Sequence, residues 1–147
     1  MALDDVRAIY ALLAEPAVGV RGLVTVEGSA SIGRGTDNLV GMLESCGVSG
    51  VPVLRGEPLE GATAPPWRGR VDGLRGATFA PPRGGVEVNA AAESIGGLLD
   101  RDVDYVALGP VTNLARALER EPAALDHVET LWVPAQLRED DRLDAWN

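Results

Sequence analysis

The stretch Asp104-Tyr105-Val106-Ala107-Leu108-Gly109-Pro110-Val111-Thr112-Asn113-Leu114-Ala115-Arg116-Ala117-Leu118 constrains this chain more than any other. Tyr105 to Leu108 is a short apolar run, which reads as a strand buried on both faces. Gly109-Pro110 breaks it. Val111, Leu114, Ala115 and Leu118 then follow at helical spacing, with Thr112 or Asn113 placed to cap the new helix. A strand, a tight turn and a helix form the unit from which open parallel α/β sheets are built. Ligands in such sheets sit at the carboxyl ends of the strands, so Leu108 and Gly109 stand where chemistry is expected.

The rest of the chain supplies further units of the same kind. Asp4-Asp5 opens an amphipathic segment carrying Val6, Ile9, Tyr10, Leu12 and Leu13, and Pro16 closes it. Two acids in a first helical turn suit the positive end of the helix dipole, worth roughly 0.3–1 kcal/mol each. Val18 to Val26 reads as a strand and about Ser31 to Cys46 as a helix ended by Gly47. Gly33-Arg34-Gly35 lacks the GxGxxG spacing and does not directly follow the strand, so it fails as a dinucleotide fingerprint. Val51 to Leu54 is the next strand, and Glu57 to Gly85 is a long Pro/Gly-rich stretch in which Trp67 and Phe79 suggest some packing. Val86 to Leu99 reads as a helix despite Gly96-Gly97. Pro122 to Val128 extends or restarts the helix before it, and Thr130 to Val133 is a last strand, stopped by Pro134.

Composition narrows the function classes. The chain has 147 residues, of which 46% are hydrophobic, enough for one domain with a core. No apolar run approaches the ~20 residues of a membrane span and no basic segment precedes one, so a cytoplasmic location is expected. Cys46 is the single cysteine, which leaves no internal disulfide and no thiolate metal cluster. A net charge of −9 disfavours nucleic acid and anionic membranes as partners. His127, the single histidine, reads as a surface residue, and Trp132 and Trp146 read as core. No Ser-His-Asp set and no zinc spacing can be assembled.

Taken together, the pieces resemble the inosine-uridine-preferring nucleoside hydrolases. Leu3-Asp4-Asp5 with Ala8-Ile9-Tyr10-Ala11-Leu12-Leu13 is similar to the end of that family's DxDxGxDD motif and its first helix. Leu23 to Gly28 is similar to the strand leading to a Gly-Asn pair, and Ala107 to Ala115 is the closest match. Asp72-Gly73-Leu74 is a weaker echo of the HGxDGLGG loop. The resemblance implies a three-layer α/β domain, 1–147, with a mostly parallel open sheet: the Rossmann-like nucleoside hydrolase fold, in part. It implies cleavage of the N-glycosidic bond of a ribonucleoside with a calcium ion at the sheet's carboxyl edge, which takes about 6–8 oxygen ligands. On that resemblance Asp5 and the carbonyl of Leu108 are metal ligands, while Asp4 and Asn147 hold ribose. The partner is a small ribonucleoside or ribose, and a homo-oligomer is compatible with it.

The departures from the family pattern set the expectation for activity. The family's first strand and its DxD would lie before Met1, and the downstream aspartate ligand and leaving-group histidine after Asn147. Ser29 replaces the asparagine of the Gly-Asn pair, Val133-Pro134-Ala135 replaces Met-Gly-Gly, and Ala145 replaces a ribose-binding glutamate. Arg68-Gly69-Arg70 stands where a histidine is expected. No catalytic residue is assigned, and the expectation is a weak or inactive hydrolase. Two alternatives stand beside it: a non-catalytic ribose-binding or scaffold module, and a structural half completed by a partner chain. The first strand of a doubly wound sheet is usually central, so its absence would leave a gap to be filled.

Overall fold

Acidic residues at one end and a proline at the other frame the first helix, α1 (Leu3–Ala14), in the computed structural model. The structure describes residues 3–58, 66, 68–73, 83–84, 88–133, 135–137 and 143–145. α1 leads to β1 (Leu23–Thr25), α2 (Ile32–Ser45), β2 (Val53–Arg55), α3 (Arg68–Gly73), β3 (Val88–Ala90) and α4 (Ala91–Leu98). β4 (Val103–Val106), α5 (Thr112–Arg120), a 3-10 turn (Pro122–His127) and β5 (Val128–Trp132) follow, then a short antiparallel pair, β6 (Ala135–Leu137) and β7 (Leu143–Ala145). Gly47 stops α2 in the left-handed region, φ 69°, with the Val48 N–H donating to Leu43 O at 2.9 Å.

The five longer-range strands form two parallel groups. One is ordered β1-β2-β3, with Leu23 opposite Val53 and Val53 opposite Val88; the other pairs β4 with β5. Adjacent residues of a strand point to opposite faces, and β2 shows what that does. Val53 packs with Ile9 of α1 and with Leu39, Val40, Met42 and Leu43 of α2. Leu54 packs on the other face with Ile95 of α4 and Ala117 of α5, joined by Val24, Leu98 and Tyr105. Helices therefore cover both faces of β1-β2-β3, which is the expected three-layer α/β arrangement. Tyr105 also joins the cluster of Leu99, Leu114 and Ala124, so the α4/α5 layer runs beneath both strand groups.

Several expectations change. Tyr105 to Leu108 is not buried on both faces: Val103 and Tyr105 face α4 and α5, whereas Val106 is 43% exposed and its partner Trp132 58%. The cause is that α1 and α2 end their cover at β1. Trp132 is accordingly not core, and Trp146, Trp67 and Phe79 lie outside the described residues. The strand expected over Val18 to Val26 is confined to Leu23–Thr25, because Val18 to Gly22 has no neighbouring strand among the described residues. The single helix expected over Val86 to Leu99 is β3 followed directly by α4. Neither Thr112 nor Asn113 caps α5, whose N-cap is Val111.

Candidate functional site

The carboxyl ends of β1, β2 and β4 meet at one edge. The buried polar side chains among the described residues, Thr25, Thr36 and Asn113, all lie there. Thr25 Oγ1 stands 2.9 Å from Thr36 Oγ1, and Thr36 Oγ1 donates to Ile32 O at 2.8 Å. Asn113, in the first turn of α5, donates from Nδ2 to Thr25 O at 2.9 Å and accepts the Glu57 N–H at 3.2 Å. Its amide thus ties the end of β1 to the loop after β2, a job that a neutral donor–acceptor pair can do in one plane. Gly56 lies within this node, and a Cβ there would stand 2.1 Å from Thr25 O.

Arginines fasten the two loops leaving this edge. Arg68 of α3 donates to Gly28 O from Nε at 3.1 Å and from a terminal nitrogen at 2.8 Å, and pairs with Glu27 through the other. Both side chains are largely shielded, which strengthens a charge-assisted bond relative to a surface pair. Arg116 of α5 pairs with Glu57 at 2.6 Å and donates to Pro58 O at 3.0 Å. These loops are where ligand-contacting residues of an open α/β sheet are carried.

Between β1 and β4 lies a cleft of about 680 Å³. Asp5, half-buried in the first turn of α1, lines it, as do Gly28 to Ala30 after β1 and Leu108 to Pro110 after β4. The structure therefore brings Asp5 and Leu108, 103 positions apart (108 − 5), to one cleft. Asp4 is exposed on α1 and does not line it, and Asn147 lies outside the described residues. His127 is on the surface, 3.8 Å from Asp102. Sequence reasoning missed Arg68, Arg116, Glu27 and Glu57; charge pairs that far apart in the chain leave no local pattern. For Asn113 it found the residue and mistook the task.

Residues 1–134 match the family described as inosine-uridine preferring nucleoside hydrolase. The chain belongs to that family. Two curated Arabidopsis thaliana members are similar to it: "Probable uridine nucleosidase 2", 33% identical over 82% of this chain and 40% of its own length, and "Uridine nucleosidase 1", 32% identical over 89% and 41%. Among solved nucleoside hydrolases, a purine-preferring ribonucleoside hydrolase from Gardnerella vaginalis has a TM-score of 0.71 at 22% identity, covering 87% of this chain and 43% of that one. A plant nucleoside hydrolase has a TM-score of 0.68 at 26% identity, covering 88% and 43%. The chain thus spans about two-fifths of the length of the curated relatives it matches.

Among the described residues, this nucleoside hydrolase family member carries one titratable group displaced by its surroundings. Burial against the cluster of Leu54, Ile95 and Ala117 and that of Leu99, Leu114 and Ala124 pushes the Tyr105 phenol above its ordinary value of 10.0. Above the unfolded value, the unfolded chain gives up this proton while the folded chain retains it, so stability falls as pH rises through that window and is unaffected below it. Melting temperatures across about pH 9 to 11 should fall less steeply for Tyr105→Phe than for the wild type. Parallel curves would contradict the burial of the hydroxyl.

Proposed function

We propose that this chain forms the ribose- and metal-facing wall of a ribonucleoside hydrolase cleft, and that on its own it does not turn substrate over. One observation carries the reading: Asp5 and Leu108 line a single cleft that runs along β1 and β4, in a chain of this family. The calcium assignment rests on resemblance, and the donor set tests it. A calcium ion takes about 6–8 oxygens, and one carboxylate with one carbonyl falls well short. Among the described residues no three His, Cys, Asp or Glu side chains gather in a metal-binding group. The described residues therefore do not make a metal site by themselves, and no step through the ion follows from them. What the chain offers is a cleft lined by apolar residues and by Asp5, Asp102, Asp104 and Glu129, with Asp5 suited to one face of a sugar hydroxyl pair.

Hydrolysis of an N-glycosidic bond needs a base for the attacking water, worth roughly 10²–10⁴-fold in rate, and no catalytic base is assigned among the described residues. Incubated with inosine or uridine, the 147-residue chain should release no reducing sugar above the uncatalysed background. Turnover near the ~10 s⁻¹ of an average enzyme would overturn the reading. Titration calorimetry tests the binding half: heats with inosine should be reduced by Asp5→Asn, and heats indifferent to that change would remove Asp5 from the ribose end.

A further inference from the structure

Between the end of β1 at Thr25 and the start of α2 at Ile32, neither ladder nor helix holds the chain, and one side chain grips it from behind. Gly28, Ser29 and Ala30 of this turn line the cleft, with Ser29 exposed and Ala30 buried. Both main-chain groups of Gly28 are engaged. Its N–H donates to Ala30 O at 3.3 Å, and its carbonyl accepts from Nε and one terminal nitrogen of Arg68 at 3.1 and 2.8 Å. The other arm of that guanidinium pairs with Glu27. Arg68 itself does not line the cleft. Three bonds from one rigid planar group therefore fix two consecutive residues, and the cleft-lining turn begins at the second of them.

A clamp of the same build stands beside it. Thr25 and Arg55 are opposite each other in the ladder, and Glu27 and Glu57 are each the second residue beyond. Glu57 pairs with Arg116 at 2.6 Å, and the other arm of that guanidinium donates to Pro58 O at 3.0 Å. The two arginine side chains are comparably shielded, 14% and 23% exposed. What differs is the segment held. Gly56, Glu57 and Pro58 do not line the cleft, whereas Gly28 to Ala30 do. One clamp steadies a wall of the cleft, and the other steadies a join between β2 and α5.

We propose that Arg68 is a positioning residue for the ligand: by gripping Glu27 and Gly28 it holds the Gly28–Ala30 turn where its polar groups meet a neutral ribonucleoside. The inference rests on the nucleoside reading given above. Arg68 acts through the turn, since its own charge is matched by Glu27 and the ligand carries none. Binding groups must be held within about 0.5 Å of their productive place, because hydrogen bonds weaken steeply outside their normal geometry. A turn set slightly loose therefore loses affinity well before the fold is lost.

The experiment exchanges each fork for a point charge. Lysine keeps a cation beside the glutamate, so no shielded carboxylate is stranded, but it cannot grip the carboxylate and the neighbouring carbonyl from separate, fixed positions. The wild type, Arg68→Lys and Arg116→Lys are titrated with inosine by calorimetry, at a temperature where melting curves show all three folded. Arg68→Lys should weaken inosine by about fivefold or more, the scale of one lost hydrogen bond, and Arg116→Lys by less than about twofold. General loosening of the sheet edge moves both affinities, because the chemical change is the same in both; positioning of the cleft wall moves only the first. An unchanged affinity in Arg68→Lys, or equal weakening in the two variants, would overturn the proposal and leave the nucleoside reading standing. Absence of any inosine heat from the wild type would remove that reading, and the proposal with it.

Discussion

Gly56→Ala should cost about 3 kcal/mol of folding stability or more, placing it among the most damaging single substitutions available to this chain. Its Cβ would lie 2.1 Å from Thr25 O, 2.5 Å from Asn113 Nδ2 and 2.9 Å from Asn113 Oδ1. The first is strand backbone and the second is a buried amide held at both ends, so neither can swing aside. The cost is one of space, since Gly56 is not among the glycines of positive φ. Two other glycines calibrate it. At Gly22 a Cβ meets Leu98 Cδ1 at 2.5 Å, the movable end of a flexible side chain, and the loss should stay below about 1.5 kcal/mol. At exposed Gly33 inside α2 nothing lies within 4 Å, and alanine should stabilise by roughly 0.5–1 kcal/mol. Urea denaturation of the three variants should return that order. A Gly56 variant within about 1 kcal/mol of wild type would mean that the ends of β1 and β2 are not joined through Asn113.

The same node shows how far the sequence could be read. α1 and α2 were legible because their signals are local: acids ahead of an apolar stripe, and Pro16 or Gly47 behind it. The Leu108 turn was legible for the same reason, and so was its place at a carboxyl edge. β3 was not, because Val88–Ala90 is only three residues long and runs without a break into α4. The exposure of Val106 and Trp132 was not legible either. An apolar strand records that something can cover it, whereas the cover itself depends on how far α1 and α2 extend across the sheet. The site divides in the same way. Asp5 and Leu108, paired by motif order, line one cleft, while the Arg68–Glu27 and Arg116–Glu57 clamps join residues 41 and 59 apart in the chain and leave no periodic trace.

Asn113 separates a local reading from a tertiary one, and its substitutions should do so by several kcal/mol. Asn113→Ala removes both bonds and strands Thr25 O and the Glu57 N–H, each worth about 1–3 kcal/mol when buried unpaired, for a total of roughly 2–5 kcal/mol. That loss alone is ambiguous, because removing a helix cap also costs ~1 kcal/mol. Asn113→Asp resolves it. As a cap, aspartate equals asparagine and gains roughly 0.3–1 kcal/mol from the helix dipole, so a capping residue would tolerate or welcome the change. As a bridge, the introduced carboxylate can still accept from Glu57 but faces the Thr25 carbonyl with no proton to donate. The site is 5% exposed, so that repulsion is poorly screened. Protonation would restore the donor, which raises the carboxyl's folded pKa above its unfolded value. Stability of the variant is then retained at low pH and lost as pH rises from about 4 upward, the reverse of a carboxylate favoured by a helix N-terminus. Chemical denaturation at about pH 3.5 and pH 7 should show Asn113→Asp close to wild type at the lower pH and destabilised by roughly 2 kcal/mol or more at the higher. A variant equal to wild type at neutral pH would return Asn113 to the role of a helix cap.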